Sequence, residues 1–292
     1  MWQVLSAIAT MKGLTSICRS AASALLLAIA LCSLAHAKRT QPLCPLPEDA
    51  IASQTVRNTE LLSNSETRDM PRSAVRSSAG GHSLPASRPL IVIGFMGGHV
   101  SANNFVHREA LLAKDLQQRY PQALHASVFA NHEGRTALET VLELLDKNKD
   151  GGLSAGEKDT ARIVIFGHSW GASETVTLAR RLNKLSIPVL LTIQVDSVRK
   201  ANENDEIIPP NVREAVNFYQ SEGLLHGRPL IEAKDPRQTT ILGNFESTYQ
   251  GNPVSCAGYP WYARAFMRQH IEIENDPLVW NKVESLIVNE VP

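Results

Sequence analysis

The sequence predicts an α/β domain, a mostly parallel sheet with helices on both faces. Three observations carry that expectation. Short apolar, β-branched runs recur at residues 89–94, 161–166 and 188–195, and runs of that length bounded by turn residues suit buried strands. Stretches with helical apolar spacing lie between them. Strands that alternate with helices at this spacing build βαβ units, whose crossovers cover both faces of a parallel sheet.

Taken in order, the first element is an export signal. Residues 23–34 form an apolar block broken only by small residues, preceded by Lys12 and Arg19 and ending in Ala35-His36-Ala37. A positive n-region, a short h-region and an A-x-A site are the parts of a secretory signal peptide. Met11 is a candidate true start, since residues 11–37 make a tidier signal. Removing 37 of the 292 residues leaves 255, and losing two of the 29 basic residues and none of the 29 acidic ones gives the mature chain a net charge of −2. Cys18 and Cys32 leave with the signal, so Cys44 and Cys256 remain as a pair that an oxidising compartment would permit to bridge.

Residues 38–88 are rich in Ser, Arg, Thr and Pro and contain no Phe, Tyr or Trp. Such a segment buries too little apolar area to offset its ordering entropy, and it reads as a flexible lead-in. Within it, residues 45–62 could dock a short helix on the body. Residues 89–292 form the folded domain. A strand at 89–94 is followed by a helix at 110–120 that Pro121 ends, a second strand at 124–130, and a helical run at 136–145. The strand at 161–166 feeds a helix from about 171 to 185, the strand at 188–195 follows, and residues 278–288 read as a final helix. No stretch of about 20 apolar residues lies in this body, which excludes a polytopic membrane protein. The neutral total charge lacks the basic stripe that nucleic-acid binding requires.

Gly167-His168-Ser169-Trp170-Gly171 matches G-x-S-x-G. The bare pattern would arise in roughly one chain in ten of this size. Its setting is specific, because it directly follows a strand and opens a helix, as a nucleophile elbow must. A serine alcohol needs a base, and the base needs a group that fixes its tautomer. In the chain order Ser…Asp/Glu…His only His226 and His270 qualify as base. His270 is preferred, being placed in a loop just before the last helix. For the acid, Asp196 ends the strand next to the nucleophile strand, on the ligand-facing edge of an open sheet; Asp205, Glu206 and Asp235 are rivals in loops. An oxyanion hole would take the N–H of Trp170 and one from the Gly94-Phe95-Met96-Gly97-Gly98 loop, with Met96 ahead of Phe95 as donor.

These residues carry a resemblance to the α/β-hydrolase superfamily, in its compact lipase, esterase and thioesterase branches, over residues 89–292. The chain is particularly similar to small exported hydrolases with G-H-S-W-G, a strand ending in D-x-V, and H-x-x-I-x-x-D-P near the C-terminus. Two departures stand out. The oxyanion loop begins Gly94-Phe95 where many relatives have His-Gly. The acid follows the strand adjacent to the nucleophile, where many relatives place it one strand later, which keeps Asp235 in contention.

Residues 146–157 fit D-x-[DN]-x-[DN]-G-x5-E at every specified position, a coincidence on the order of one chain in a thousand. Asp146, Asn148 and Asp150 offer side-chain oxygens, Gly152 a carbonyl, Ser154 a water-mediated contact and Glu157 a bidentate carboxylate, an EF-hand-type set for a structural Ca²⁺. No organic cofactor is expected. The sequence therefore predicts a secreted or periplasmic monomer with no membrane span after signal cleavage. It would act on a small-molecule or lipid-like carboxylic ester or thioester through an acyl-enzyme. The highly polar segment 199–206 leans toward a soluble substrate. An acyltransferase would use the same triad. A catalytically inactive calcium-binding or interaction protein on a hydrolase scaffold is the alternative class.

Overall fold

The computed structural model describes residues 88–201 and 203–292. The signal peptide, its cleavage site, Cys44 and all of the lead-in except Arg88 lie outside the described residues. Arg88 is tied to the body, donating from Nη1 to the Glu157 carbonyl at 3.1 Å.

Six strands form one parallel sheet: β1 (Leu90–Met96), β2 (Leu124–Ala130), β3 (Ile163–His168), β4 (Val189–Val195), β6 (Val212–Tyr219) and β8 (Thr240–Glu246). Their order is β2-β1-β3-β4-β6-β8, and a second small sheet pairs β5 (Ile207–Ile208) with β7 (Glu232–Ala233). The helices are α1 (Arg108–Arg119), α2 (Gly134–Leu145), α3 (Ala155–Asp159), α4 (Trp170–Lys184), α5 (Trp261–Phe266), α6 (Arg268–Asn275) and α7 (Pro277–Val288). The α/β class with helices on both faces is what the sequence predicted.

Alternation along the strands builds the two cores, because successive side chains leave a strand on opposite faces. Leu90, Val92, Val164, Phe166, Leu191 and Ile193 pack against Leu112 and Leu116 of α1 and Val279, Trp280, Val283 and Ile287 of α7. Ile91, Ile93, Phe95, Ile163 and Ile165 turn the other way, onto Ala137 and Val141 of α2 and Val176, Ala179 and Leu182 of α4. Full burial of each such aliphatic side chain contributes about 1.5–3 kcal/mol. Interior strands covered on both faces cannot alternate apolar with polar, which is why they are continuous apolar runs in the sequence.

The chain runs from β1 through α1 to β2 on one side, then from β2 through α2 to β3 on the other. Strand order therefore reverses between β1 and β3. A crevice opens at the carboxyl ends of two strands wherever their connections diverge in this way, and ligands of open α/β sheets bind there. The residues following β1 and β3, Gly97 and Ser169, meet at that point.

Candidate active site

Ser169 sits at the β3–α4 turn with φ 57° and ψ −124°, a backbone conformation that costs a non-glycine residue on the order of 1–3 kcal/mol. Surrounding contacts over-determine it. The Ser169 N–H donates to the Val195 carbonyl at 2.9 Å, and the Ser169 carbonyl accepts from Val198 N–H at 3.2 Å. The turn is tight enough that a Cβ on Gly167 would lie 2.5 Å from the Gly171 carbonyl carbon, and a Cβ on Gly171 would press into the Phe95 carbonyl. Both glycines are thus required by close backbone approach, and the serine hydroxyl is held outward from the turn.

His270 Nε2 lies 2.8 Å from Ser169 Oγ, and His270 Nδ1 lies 2.6 Å from Asp196 Oδ2. An ionised carboxylate only accepts, so Nδ1 carries the hydrogen and Nε2 presents its lone pair to the serine O–H. Asp196 follows β4 with φ 45°, in the left-handed region that Asp tolerates better than most residues. Its Oδ1 accepts from the backbone N–H of Gly227 at 2.7 Å and of Gln220 at 3.2 Å, and its Oδ2 accepts from Gln220 Nε2 at 2.9 Å. Burial by itself would raise the Asp196 pKa. Hydrogen bonding and charge from His270, together with Gln220, outweigh that and hold it below the usual carboxylate range.

His270 stands in α6, not in the loop the sequence suggested. Ile271 and Ile273 bury opposite sides of this short helix in two separate apolar clusters. Trp280 of α7 fixes it from behind, donating Nε1–H to the Ile273 carbonyl at 3.3 Å. The rival residues are engaged elsewhere. Asp235 is held near pKa 2 by its hydrogen bonds with Arg237 and Gln238. Asp205 accepts from Ser197 Oγ at 2.6 Å and Arg228 Nε at 2.9 Å, Glu206 accepts from Arg228 Nη1, and His226 is exposed.

Trp170 is the first residue of α4, where backbone N–H groups have no intrahelical acceptor. The ring of His99 meets its indole edge-on at 5.2 Å. Met96 ends β1 fully buried, and its carbonyl accepts from Asn131 Nδ2 at 3.3 Å. The residue of this loop packed on the serine is Gly97, where a Cβ would come within 3.2 Å of Ser169 Cβ. The Gly97 N–H donates to Glu109 Oε1 at 3.2 Å.

Glu109 belongs to a buried polar cluster behind the triad that sequence reasoning missed. His107 Nδ1 lies 2.5 Å from Glu274 Oε1 and His168 Nδ1 3.5 Å from Glu274 Oε2. Burial would lower the pKa of His107, but the Glu274 carboxylate lifts it to about 9. Burial dominates at His168, which falls to about 4 and is neutral at pH 7. Burial and then the Glu274 charge push Glu109 upward, while His107 and His168 overcome the burial of Glu274 and hold it low. The His168 ring lies 4.5 Å from that of His270. A histidine and a glutamate two residues apart where α1 begins were the available sequence signal. Gln220 was also missed, because the strand it follows, β6, was not anticipated.

The polar segment after β4 packs on α4. Lys200 Nζ pairs with Glu174, and Glu203 accepts from Thr177 Oγ1 at 3.0 Å and Ser173 Oγ at 3.2 Å.

In the loop at 146–157, Asp146 Oδ2 accepts from Gly151 N–H at 2.9 Å, and Asp150 Oδ1 accepts from Gly152 N–H at 2.8 Å. Asn148 Oδ1 accepts from Asp150 N–H at 3.2 Å. Gly151 takes the turn at φ 81°. Ser154 and Glu157 form a reciprocal capping box at the start of α3, and Glu157 Oε1 also accepts from Lys147 N–H at 3.0 Å. Asp146 Oδ1 is buried without a hydrogen-bond partner. An orphaned oxygen at the first ligand position of an all-oxygen donor set suits a hard cation such as Ca²⁺.

Sheet order, elbow and the serine at the switch point define the class as the α/β-hydrolase fold. No protein-family model matches the chain, and no curated protein matches it. Among solved structures, an arylesterase aligns over 70% of this chain and 76% of its own length at 10% identity, with a TM-score of 0.36. A hormone-sensitive lipase from a metagenome library aligns over 69% and 78% at 13% identity, with a TM-score of 0.30. The thioesterase domain that cyclises the lipopeptide antibiotic surfactin aligns over 39% of this chain at 24% identity, with a TM-score of 0.24, and the match spans 41% of that domain.

Proposed function

We propose that this protein is a serine hydrolase that cleaves a carboxylic ester or thioester through an acyl-enzyme. The observation that carries the reading is the hydrogen-bonded chain Ser169–His270–Asp196, with contacts of 2.8 and 2.6 Å, built on a strained serine at the switch point of the sheet. In the first step His270 Nε2 takes the hydroxyl proton as Ser169 Oγ attacks the acyl carbon. Asp196 stabilises the imidazolium that forms and keeps its orientation. The N–H of Trp170, with a second from Met96, would receive the developing oxyanion. The imidazolium then protonates the departing alcohol or thiol. Water, deprotonated by the same nitrogen, releases the acid and restores Ser169.

The substrate proposed is a small or lipid-like ester. The polar residues Lys200 and Glu203, held on α4 through Glu174, Thr177 and Ser173, favour a water-soluble one. Asp146, Asn148, Asp150, Gly152, Ser154 and Glu157 would hold a structural Ca²⁺. The ion would brace the connection from α2 into β3 and so support Ser169. Among the described residues no helix is long and apolar enough to cross a membrane. We propose export from the cytoplasm on the strength of residues 1–37, and a monomeric state. Recovering the secreted chain with Lys38 at its N-terminus would support the first, and light scattering at the dimer mass would overturn the second.

The deciding experiment is labelling with a fluorophosphonate probe. Folded wild-type protein should label, and Ser169→Ala should not. Absence of serine-dependent labelling would leave the inactive-scaffold reading in its place. Product analysis with water and with competing alcohols would separate hydrolysis from acyl transfer.

A further inference from the structure

Four buried polar side chains stand together behind the triad. His107, Glu109, His168 and Glu274 are only 7, 0, 3 and 2% exposed. Ligand atoms of His107, Glu109 and Glu274 all lie within 4.8 Å of one another. Two atoms of the group, Glu109 Oε2 and His168 Nδ1, have no hydrogen-bond partner. A buried, unsatisfied polar atom is costly, and two in one cluster call for a common partner.

The tautomer of His168 sharpens the point. Its Nε2 lies 3.1 Å from the His270 carbonyl oxygen, which can only accept, so Nε2 carries the hydrogen. In a neutral ring Nδ1 is then a bare lone pair, 3.5 Å from Glu274 Oε2, itself an acceptor. Two acceptors thus face each other in the interior. Glu109 Oε2, buried in the same cluster, also has no hydrogen-bond partner.

We infer that His107, Glu109, His168 and Glu274 form a closed binding site for one divalent transition-metal ion of the zinc type. Two imidazole nitrogens and two carboxylates are a donor set that four-coordinate Zn²⁺ accepts, and two carboxylates neutralise its charge. On binding, the hydrogen between His107 Nδ1 and Glu274 and the one that burial keeps on the Glu109 carboxyl both leave to solvent, since ligating groups must be deprotonated. Four protein ligands leave no open position, so the role is structural. The ligands come from the start of α1, the end of β3 and α6. These are the pieces that flank the Gly97 loop, precede Ser169 and carry His270. The site stands independently of the hydrolase reading, and its hard-oxygen counterpart at 146–157 is chemically distinct.

The test is zinc titration of the full-length chain after stripping with chelator, followed by calorimetry and melting temperature, with Co²⁺ substitution read by visible absorption. Wild type, Ser169→Ala and Asp150→Asn should each bind one Zn²⁺, melt at higher temperature with it, and show the d–d bands of a four-coordinate Co²⁺ site. Glu109→Gln, which keeps the side-chain shape, should weaken binding by about 100-fold or more, a loss at least as large as that of a supporting residue around a metal. No stoichiometric zinc, or unchanged binding in folded Glu109→Gln, overturns the inference. Should Glu109→Gln fail to fold, the wild-type Co²⁺ spectrum decides: bands of a six-coordinate, all-oxygen site, or none, overturn it equally.

Discussion

Gln220 Nε2 donates to Asp196 Oδ2 across 2.9 Å, and the same oxygen lies 2.6 Å from His270 Nδ1. Gln220 also accepts from the backbone of Glu222 and Gly223 through Oε1. It is therefore a positioning residue, locked in place and holding the acid at the angle the imidazole needs. Hydrogen bonds to charged groups are worth about 1.5–3 kcal/mol. Gln220→Ala should lower kcat by about 10- to 100-fold with little change in KM, while Gln220→Glu should be worse still because it adds a like charge. A KM effect without a kcat effect would remove Gln220 from this role.

Asp196 contributes stability through its ionised form. Its folded pKa lies below the ordinary value of about 3.9. The unfolded chain thus takes up the proton first as pH falls. The contribution is complete above the unfolded pKa and disappears as pH drops through the folded one. Melting temperature should fall with acidification below about pH 4 more steeply in wild type than in Asp196→Asn. The same variant should lose about 10⁴-fold in kcat, because an amide at this position can favour the wrong imidazole tautomer. Parallel acid limbs in the two proteins would contradict the linkage.

Asp276 caps α7, its Oδ1 accepting from Leu278 N–H at 2.8 Å with Pro277 at the first helical position. Its Oδ2 accepts from Tyr249 O–H at 2.9 Å. Losing an N-cap of this kind costs about 0.5–2 kcal/mol. For a domain of this size that corresponds to roughly 2–4 °C of melting temperature per kcal/mol. Asp276→Ala should therefore melt lower by a few degrees, and Tyr249→Phe by less. An unchanged transition in Asp276→Ala would show that helix packing alone carries α7.

Calcium should raise the melting temperature with half-effect at about 10⁻⁴–10⁻³ M, the range of extracellular loops of this type. Asp146→Ala and Asp150→Ala should remove the response. Glu157→Gln is a poorer probe, because Glu157 also closes the capping box with Ser154. A calcium response that persists without Asp146 and Asp150 would place the ion elsewhere.

Cys256 is buried, and its thiol pKa is pushed up to about 11, first by burial and then by the charge of Glu272. Thiolate is the reactive form. Modification of the reduced native protein by a thiol reagent at pH 8 should be much slower at Cys256 than after unfolding. Fast native labelling at Cys256 would show that the segment around it opens readily.

The sequence by itself pointed to the strands whose faces are both covered, because largely apolar runs at 161–166 and 188–195 have few other uses. It also pointed to the Ser169 turn, since two glycines around a serine between strand and helix encode a local steric requirement. The edge strand β8 was not legible, for its residues are partly exposed and mixed in polarity, and β6 carries Arg213 and Glu214 directly after its first residue. Only the tertiary structure decided which acid meets His270. The sequence favoured Asp196 over Asp235 by its place at the end of a strand, and the pairing itself depends on where β4 ends and α6 is seated. The same holds for Gln220, His107, Glu109, His168 and Glu274. Local pattern records the periodicity with which an element faces its core. The convergence of polar groups separated by up to 167 positions along the chain is recorded only in how those elements pack.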